Sequence, residues 1–329
     1  MLLPIYQESG KTYEPDSCLP LVRGMKEGKV FHRAFSRGQY PGKKLVRNNL
    51  LGVKTIGFWD ARQAQDWGLD WHRNEGIELT MLESGSLNFA LDKREYPLKP
   101  GDLTYTRPWQ PHRLGNPNVG AGRLYFLILD VGVRRPHQNW RWPPWLVLTP
   151  GDLRELTIFL RQVDSTVWHV DAEIRRCFRQ IGQAVEDENI SRLAVFLNEL
   201  FILLLDMFRR KNVPLDESLS SARRTVELFW EDLRRDVGHL GLEWTVAAMA
   251  RRCGMGVTHF IHQTKQLVNE TPANYLTRCR LDAAAKLLRE APAASVTEIA
   301  LRLGFGSSQY FATQFRRQHQ RTPSEYREA

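Results

Sequence analysis

The sequence predicts a multidomain α+β protein: an N-terminal β-barrel, a helical connector, and a C-terminal all-α pair of helix-turn-helix units. Three observations carry this. One pattern near the carboxyl end is written twice, 50 to 51 residues apart. From Val53 to about Val133, short apolar or alternating runs are divided by turn formers. From about Gly151 to Asn212 the apolar period becomes helical.

A chain of 329 residues with 42% hydrophobic content can bury more than one core. Its net charge is +9, and residues 245–329 hold 12 Lys and Arg against 6 Asp and Glu. Two-thirds of the excess therefore sits in the final quarter, which suits a polyanionic partner there. Cys18, Cys177, Cys253 and Cys279 are scattered without metal-ligand spacing, as expected of reduced thiols in a cytoplasmic protein. The first ten residues have neither the basic start nor the apolar stretch of a signal peptide. The longest apolar run, Leu200 to Leu205, is far short of a membrane span, so no membrane partner is expected.

Residues 1 to about 50 carry turn formers and scattered charge, which predicts an irregular arm with one or two short strands. Strands are expected at Val53 to Trp59, Ile77 to Leu82, Leu87 to Leu91, Leu103 to Thr106 and Leu124 to Leu129. Five such segments in eighty residues point to a sandwich or small barrel. Two stretches are more specific. His72-x-Asn74-x-x-x-Glu78 followed by Gly85 resembles the first cupin motif with its second His replaced by Asn. Pro100-Gly101-Asp102, then Pro108-x-x-Pro111-His112, resembles the second motif, one residue short.

In a metal-binding cupin these positions supply imidazoles and a carboxylate to one divalent ion. Here His72, Glu78 and His112 would offer two nitrogens and one oxygen, an acceptable half-site. Asn74 is a poor ligand, and the competing reading is that these residues hydrogen-bond inside a barrel mouth. The sequence therefore calls for no cofactor. Trp59, Trp67, Trp71 and Trp109 cluster around the motifs beside Arg107, His112 and Arg113. Aromatic faces with a few fixed donors suit a small polar molecule such as a sugar. The plainer alternative is that each Trp fills a modest β core. The expected ligand-binding residues are His72, Glu78, Arg107, Trp109 and His112. The Trp140-x-Trp142-Pro-Pro-Trp145 loop is expected to pack over the barrel edge.

In the connector, Leu153, Leu156, Phe159 and Leu160 form one stripe. Leu193, Phe196, Leu197, Leu200, Phe201, Leu204 and Phe208 form a longer one. It serves either packing on the barrel or a dimer contact. Residues 211–220, polar with a Pro, read as a linker. A helix from about Ser221 to Asp236 then turns Val226, Phe229, Trp230 and Leu233 inward.

The repeat begins Val246-Ala-Ala-Met-Ala250-Arg-Arg-Cys-Gly254-Met-Gly256 and again Val296-Thr-Glu-Ile-Ala300-Leu-Arg-Leu-Gly304-Phe-Gly306. Its copies end Thr271-Pro-Ala-Asn-Tyr275 and Thr322-Pro-Ser-Glu-Tyr326. Ser295-Val-Thr-Glu298 is a capping box, and Gly304 with Gly306 is expected to break the helix and allow positive φ. Phe311 and Phe315 face inward, while Ser308, Gln309, Thr313, Arg316 and Arg317 face outward. Thr322-Pro323-x-Glu325 starts a further helix.

This repeat, joined by a helix from Ala273 to Glu290, resembles the DNA-binding domain of the AraC/XylS regulators over about a hundred residues. Departures are His319-Gln320, where that family has Phe-Gly, and Thr264, where a second core Phe would stand. The first unit is expected to pack more loosely. The resemblance implies domains at 1–145 (cupin-like sensor), 146–215 (helical connector and candidate dimerisation region) and 221–329 (DNA binding). It also implies double-stranded DNA, a small-molecule effector, a second copy of the chain and RNA polymerase as partners, in a bacterial cytoplasm. By family position Thr258, Ile261, His262, Ser308, Gln309 and Thr313 face bases, and Lys265, Arg316 and Arg317 face phosphates. Arg278 and Arg280 are ambiguous between phosphate contact and pairing within the domain. The leading function is an effector-controlled transcription regulator rather than an enzyme. The alternatives are a metal-dependent cupin enzyme with an appended DNA-binding domain, and a DNA binder whose barrel takes no ligand.

Overall fold

Alternation along each strand decides which side chains meet, and a computed structural model of the chain follows it. The structure describes residues 7–8, 11–12, 18–46, 48–91, 94–291 and 293–328. Contacts divide the chain into two units, with residues 18–219 in one and 220–328 in the other. Two-residue strands Gln7–Glu8 (β1) and Lys11–Thr12 (β2) pair with each other.

The first unit opens with helix Leu19–Lys26 (α1) and then runs through strands. These are Val30–Ser36 (β3), Lys43–Lys44 (β4), Val53–Ala61 (β5), Leu69–His72 (β6), Ile77–Leu82 (β7), Leu87–Leu91 (β8), Arg94–Leu98 (β9), Asp102–Thr106 (β10), His112–Leu114 (β11) and Gly122–Leu129 (β12). Helices Pro150–Gln162 (α2), Ala172–Glu186 (α3) and Ile190–Lys211 (α4) follow, with strand Val167–His169 (β13) after α2. Seven strands form one sheet in the order β13-β10-β7-β12-β5-β3-β4, and four form another in the order β6-β11-β8-β9. The five expected strands are all present. The arm reading of residues 1–50 is corrected in part: β3 is a seven-residue strand paired along β5 from Val30↔Ala61 to Ser36↔Thr55. Its Arg33 and Ser36 interrupt the apolar alternation that would have marked it.

Period two sends Ile77, Leu79 and Met81 of β7, with Tyr125, Leu127 and Leu129 of β12, to one face of the large sheet. There they share a core with Leu156 and Leu160 of α2, Phe178 and Ile181 of α3, and Leu197 and Phe201 of α4. Each such fully buried side chain contributes roughly 1.5–3 kcal/mol. Gly182 lets α3 approach closely, since a Cβ there would lie 2.6 Å from the Tyr125 ring. The Leu193 to Phe208 stripe therefore packs on its own sheet. The aromatic loop does so too: Trp142 Nε1 donates to Thr157 Oγ1 at 2.8 Å, and Trp145 Nε1 to Leu51 O at 2.8 Å. The opposite sheet face, with Trp59, Leu82 and Leu124, meets Phe89 and Leu114 of the smaller sheet in a second core.

The second unit is all helical: Ala222–Arg235 (α5), Val237–Gly241 (α6), Val246–Arg252 (α7), Val257–Val268 (α8), Pro272–Glu290 (α9), Val296–Arg302 (α10), Ser308–His319 (α11) and Pro323–Glu328 (α12). Its boundaries are set by caps. Ser221, Thr245, Thr271, Ser295 and Ser307 each accept an amide proton from the first turn of the helix they precede. The capping box is complete, with Ser295 N donating to Glu298 Oε2 at 2.7 Å and Glu298 N to Ser295 Oγ at 3.1 Å. In the turns only the first glycine of each pair has positive φ, Gly254 at 68° and Gly304 at 76°. Gly256 caps α8 with extended backbone at φ −70°, and Gly306 has no positive φ, so the expectation for Gly306 is corrected. Thr264 does not loosen the first unit. It is fully buried, Trp230 Nε1 donates to its hydroxyl at 3.4 Å, and the Trp230 ring lies against Phe260.

Candidate functional site

The two units hold one candidate site each. In the helical unit, α8 and α11 occupy the same place in the two copies of the repeat. Phe260 and Thr264 on α8, and Phe311 and Phe315 on α11, are fully buried. Helical spacing then turns the residues between them outward. Thr258, His262 and Lys265 are exposed and Ile261 is half-buried. Gln309, Thr313, Arg316 and Arg317 are exposed and Ser308 is half-buried. Pairs 51 apart match in place: Thr258 with Gln309, His262 with Thr313, Lys265 with Arg316. Among the described residues no salt bridge occupies Lys265, Arg316 or Arg317, which leaves three cations on these faces. Thr313 Oγ1 donates to Gln309 O at 3.0 Å, which fixes its rotamer while leaving its oxygen able to accept.

The two ambiguous arginines separate clearly. Arg280 donates to three carbonyls, Leu240 O at 2.9 Å, Gly304 O at 3.0 Å and Leu242 O at 2.8 Å. Arg278 Nε pairs with Glu270 at 2.8 Å and lies over the Tyr275 ring. Arg280 is thus a brace between α6, α9 and the turn after α10. The connecting helix α9 has 19 residues and is about 28 Å long at 1.5 Å per residue. Exposed Tyr310 and Val257 also lie on α11 and α8. Sequence reasoning passed over both because neither carries an obvious base-reading group.

In the barrel unit, a partly open pocket lies between the two sheets. Strand register arranges its wall in rungs. Ser36, Thr55, Ile128, Glu78 and Thr106 stand side by side on β3, β5, β12, β7 and β10. Four residues further along, His32, Trp59, Leu124 and Leu82 form a parallel rung. From the smaller sheet, His72 pairs with His112 and Leu69 with Leu114.

Glu78 is the centre of the polar end. Asn74 Nδ2 donates to its Oε2 at 2.7 Å, and His112 Nε2 lies 2.8 Å from the same oxygen. Burial pushes the carboxyl up, but the charges of His112 and His72 and the Asn74 hydrogen bond prevail and hold it at about 2. Tyr40 OH lies 2.9 Å from Asn74 Oδ1 and 2.7 Å from Glu75 Oε2, so the amide is held from both sides.

The five expected ligand residues divide. His72 and Glu78 line the cavity, and buried His112 backs Glu78. Arg107 and Trp109 lie outside its lining. Arg107 Nη1 donates to Val163 O at 2.8 Å, and buried Trp109 donates to Val133 O at 3.3 Å. Both serve loop packing, and Trp109 stands at φ 64° in the turn before β11. Trp67 is core, and Trp71 is exposed beneath the Arg113 guanidinium. Sequence reasoning missed His32, Tyr40 and Thr55 in the lining. The first two sit in the stretch taken as an arm, where the inward placing of His32 on β3 was the available signal.

His72, Glu78 and His112 offer ligand atoms within 4.8 Å of one another. His112 Nδ1 lies 2.9 Å from Gln110 O and His72 Nδ1 2.6 Å from Asp70 O, the carbonyl contact that a metal-ligating imidazole also makes, so these three side chains could hold an ion. Asn74, at the fourth position, gives its N–H to Glu78 instead of a lone pair to a metal. Without an ion the arrangement is a carboxylate clamped by hydrogen bonds from Asn74 and His112.

Comparison with known proteins agrees with both halves. Residues 249–329 match a helix-turn-helix domain family, and residues 63–129 match a cupin domain family. The HTH-type transcriptional activator RhaS of Escherichia coli O139:H28 is 32% identical over 165 residues, covering 49% of this chain and 57% of RhaS. The chain thus carries an AraC-type helix-turn-helix domain preceded by a cupin domain. Its fold is an N-terminal cupin barrel with helices followed by a double helix-turn-helix. The chain spans just over half the length of the curated relatives it matches. Among solved AraC-type structures, the DNA-binding domain of AdpA in complex with a target DNA is 29% identical. It covers 32% of this chain and 89% of its own, with a TM-score of 0.28. Fatty-acid-bound ToxT of Vibrio cholerae is 13% identical over 86% of this chain and 97% of its own, with a TM-score of 0.38.

Proposed function

We propose that this chain is a regulator of the AraC/XylS type, which binds double-stranded DNA sequence-specifically through α8 and α11 and takes a small-molecule effector in its barrel. The carrying observation is the matched pair of exposed faces. Thr258 and Gln309, His262 and Thr313, and Lys265 and Arg316 stand at equivalent places of a duplicated unit, in a segment with 12 Lys and Arg against 6 Asp and Glu. Duplex DNA repeats every ~34 Å, close to the length of α9, so one chain would address two successive major grooves. Thr258, Ile261, His262, Ser308, Gln309 and Thr313 then meet base edges, and Lys265, Arg316 and Arg317 hold phosphates. His72, Glu78 and the cavity around them bind the effector. A second copy and RNA polymerase complete the proposed set of partners, in the cytoplasm, and the barrel performs no reaction. Selection from random duplexes with the full chain tests this. The expected product is a non-palindromic element with two informative blocks one helical turn apart. Enrichment of no element contradicts it.

A further inference from the structure

The cavity walls carry information about what enters. One end, at Glu78, Thr55 and His72, is polar. Tyr40, Asn74 and Thr80 line it as well, and the apolar wall is Trp59, Leu69, Leu114, Leu124, Phe126 and Ile128. Among the described residues no lysine or arginine lines it. The imidazole at the apolar end, His32, is stacked on Phe126 with ring centroids 5.7 Å apart. Its Nε2 has no hydrogen-bond partner among the described residues. Burial first, and Arg33 second, lower its pKa to about 4, so it is a neutral imidazole near pH 7. Of the nearby cations, Lys54 is engaged with Glu75 at 3.1 Å and Asp130 at 3.4 Å, and Lys44 with Ser36 Oγ at 3.2 Å and the carbonyls of Gly38 and Tyr40 at 2.8 Å.

These facts sort ligand classes. A carboxylate or phosphate placed at the polar end would face the Glu78 carboxylate and compete with it for His112 and His72, with no lysine or arginine among the described lining residues to receive it. A hydroxyl there finds an acceptor in Glu78. A molecule with hydroxyls on all sides would leave several against Leu69, Leu114 and Leu124, where each unpaired polar group is penalised.

We propose that the cavity takes an uncharged amphipathic molecule, an apolar aromatic or alicyclic body against Trp59, Leu114 and Leu124 with a hydroxyl head donated to Glu78, and that it discriminates against carboxylates and phosphates. This rests on the reading of the barrel as the effector site. It narrows the broader expectation of a polar molecule such as a sugar.

The test is equilibrium binding to the full chain of probes sharing one body: 4-phenylbutan-1-ol, 4-phenylbutanoate and 4-phenylbutyl phosphate, with glucose as the polyol. The alcohol is expected to bind at least tenfold tighter than any of the others. Glu78→Gln is expected to shrink the alcohol-to-carboxylate ratio severalfold by removing the repulsion. Leu69→Trp, which fills the cavity from its rim, is expected to abolish alcohol binding while leaving the melting temperature of the free protein near that of the parent. Tighter binding of the carboxylate, the phosphate or glucose overturns the proposed chemistry and leaves the cavity as effector site. Equal binding of every probe to the parent and to a folded Leu69→Trp protein overturns the effector-site reading itself.

Discussion

The Arg280 guanidinium donates to the carbonyl of Gly304 at 3.0 Å, tying the connecting helix to the turn of the second helix-turn-helix unit. The same group holds Leu240 O and Leu242 O. A Cβ at Gly304 would lie 2.7 Å from Arg280 Nη2 and 2.7 Å from Gly241 O, at a φ of 76° that side chains rarely adopt. Arg280→Met keeps most of the stem volume and strands three carbonyls. It is expected to destabilise the helical unit by roughly 2–4 kcal/mol, given ~1.5–3 kcal/mol for a charged hydrogen bond less what water restores. Urea unfolding of the full chain measures this, and a change below ~0.5 kcal/mol would count against the brace.

Acid should loosen the same unit through His239. The ring is fully buried against Trp244, and neither nitrogen has a hydrogen-bond partner among the described residues. Burial first and Arg252 second lower its pKa to about 4, against a smaller opposing pull from Asp236. The unfolded chain, near 6.5, binds the proton first. The penalty is therefore absent above about pH 6.5, grows as pH falls below it, and is complete near pH 4. His32 adds a term of the same sign in the barrel. His239→Phe is expected to flatten the fall in melting temperature of the helical unit between pH 6.5 and 4.5. An unchanged slope would show that other groups govern it.

The parts legible in the sequence were those fixed by short-range rules. Caps at Ser295 and Thr322, the repeat at 50 to 51 residues and the strands Ile77 to Leu82 and Leu87 to Leu91 needed only local pattern. β3 was missed because its partner β5 supplies the hydrogen bonds that its mixed sequence does not advertise. Arg107 and Trp109 fall outside the pocket lining for a related reason. Sequence proximity to His112 says nothing of which way a loop turns, and both side chains are spent on the distant carbonyls of Val163 and Val133. The chemistry of Glu78 was half legible: the residue stood out, while its clamp by Asn74 and His112 is a product of register.

That clamp predicts how the barrel treats metals. With Asn74 and His112 both directed at Glu78 Oε2, a divalent ion would have to displace two hydrogen bonds. Elemental analysis of the purified chain is expected to find well under one transition metal per chain, and chelator should leave the melting temperature unchanged. A stoichiometric ion whose removal lowers it would favour the metal-dependent cupin reading.

On the proposed reading base selection falls in part to Gln309, whose amide can bond an adenine edge through two hydrogen bonds. Gln309→Ala is expected to cost about 1–3 kcal/mol on the preferred duplex and to relax selectivity at one position, with other positions unchanged. Repeating the duplex selection with the variant checks this. An altered preference across the whole element would mean that α11 is displaced, not shortened by one contact.

The central claim is that α8 and α11 lie along DNA with their cations at the phosphates, and Arg316 tests it most directly. The measurement is the dependence of duplex affinity on salt for the parent chain and for Arg316→Ala. Loss of one phosphate contact should weaken binding to all sequences alike and lower the slope of log affinity against log salt by about 0.9. An unchanged slope, with affinity and selectivity intact, would contradict it.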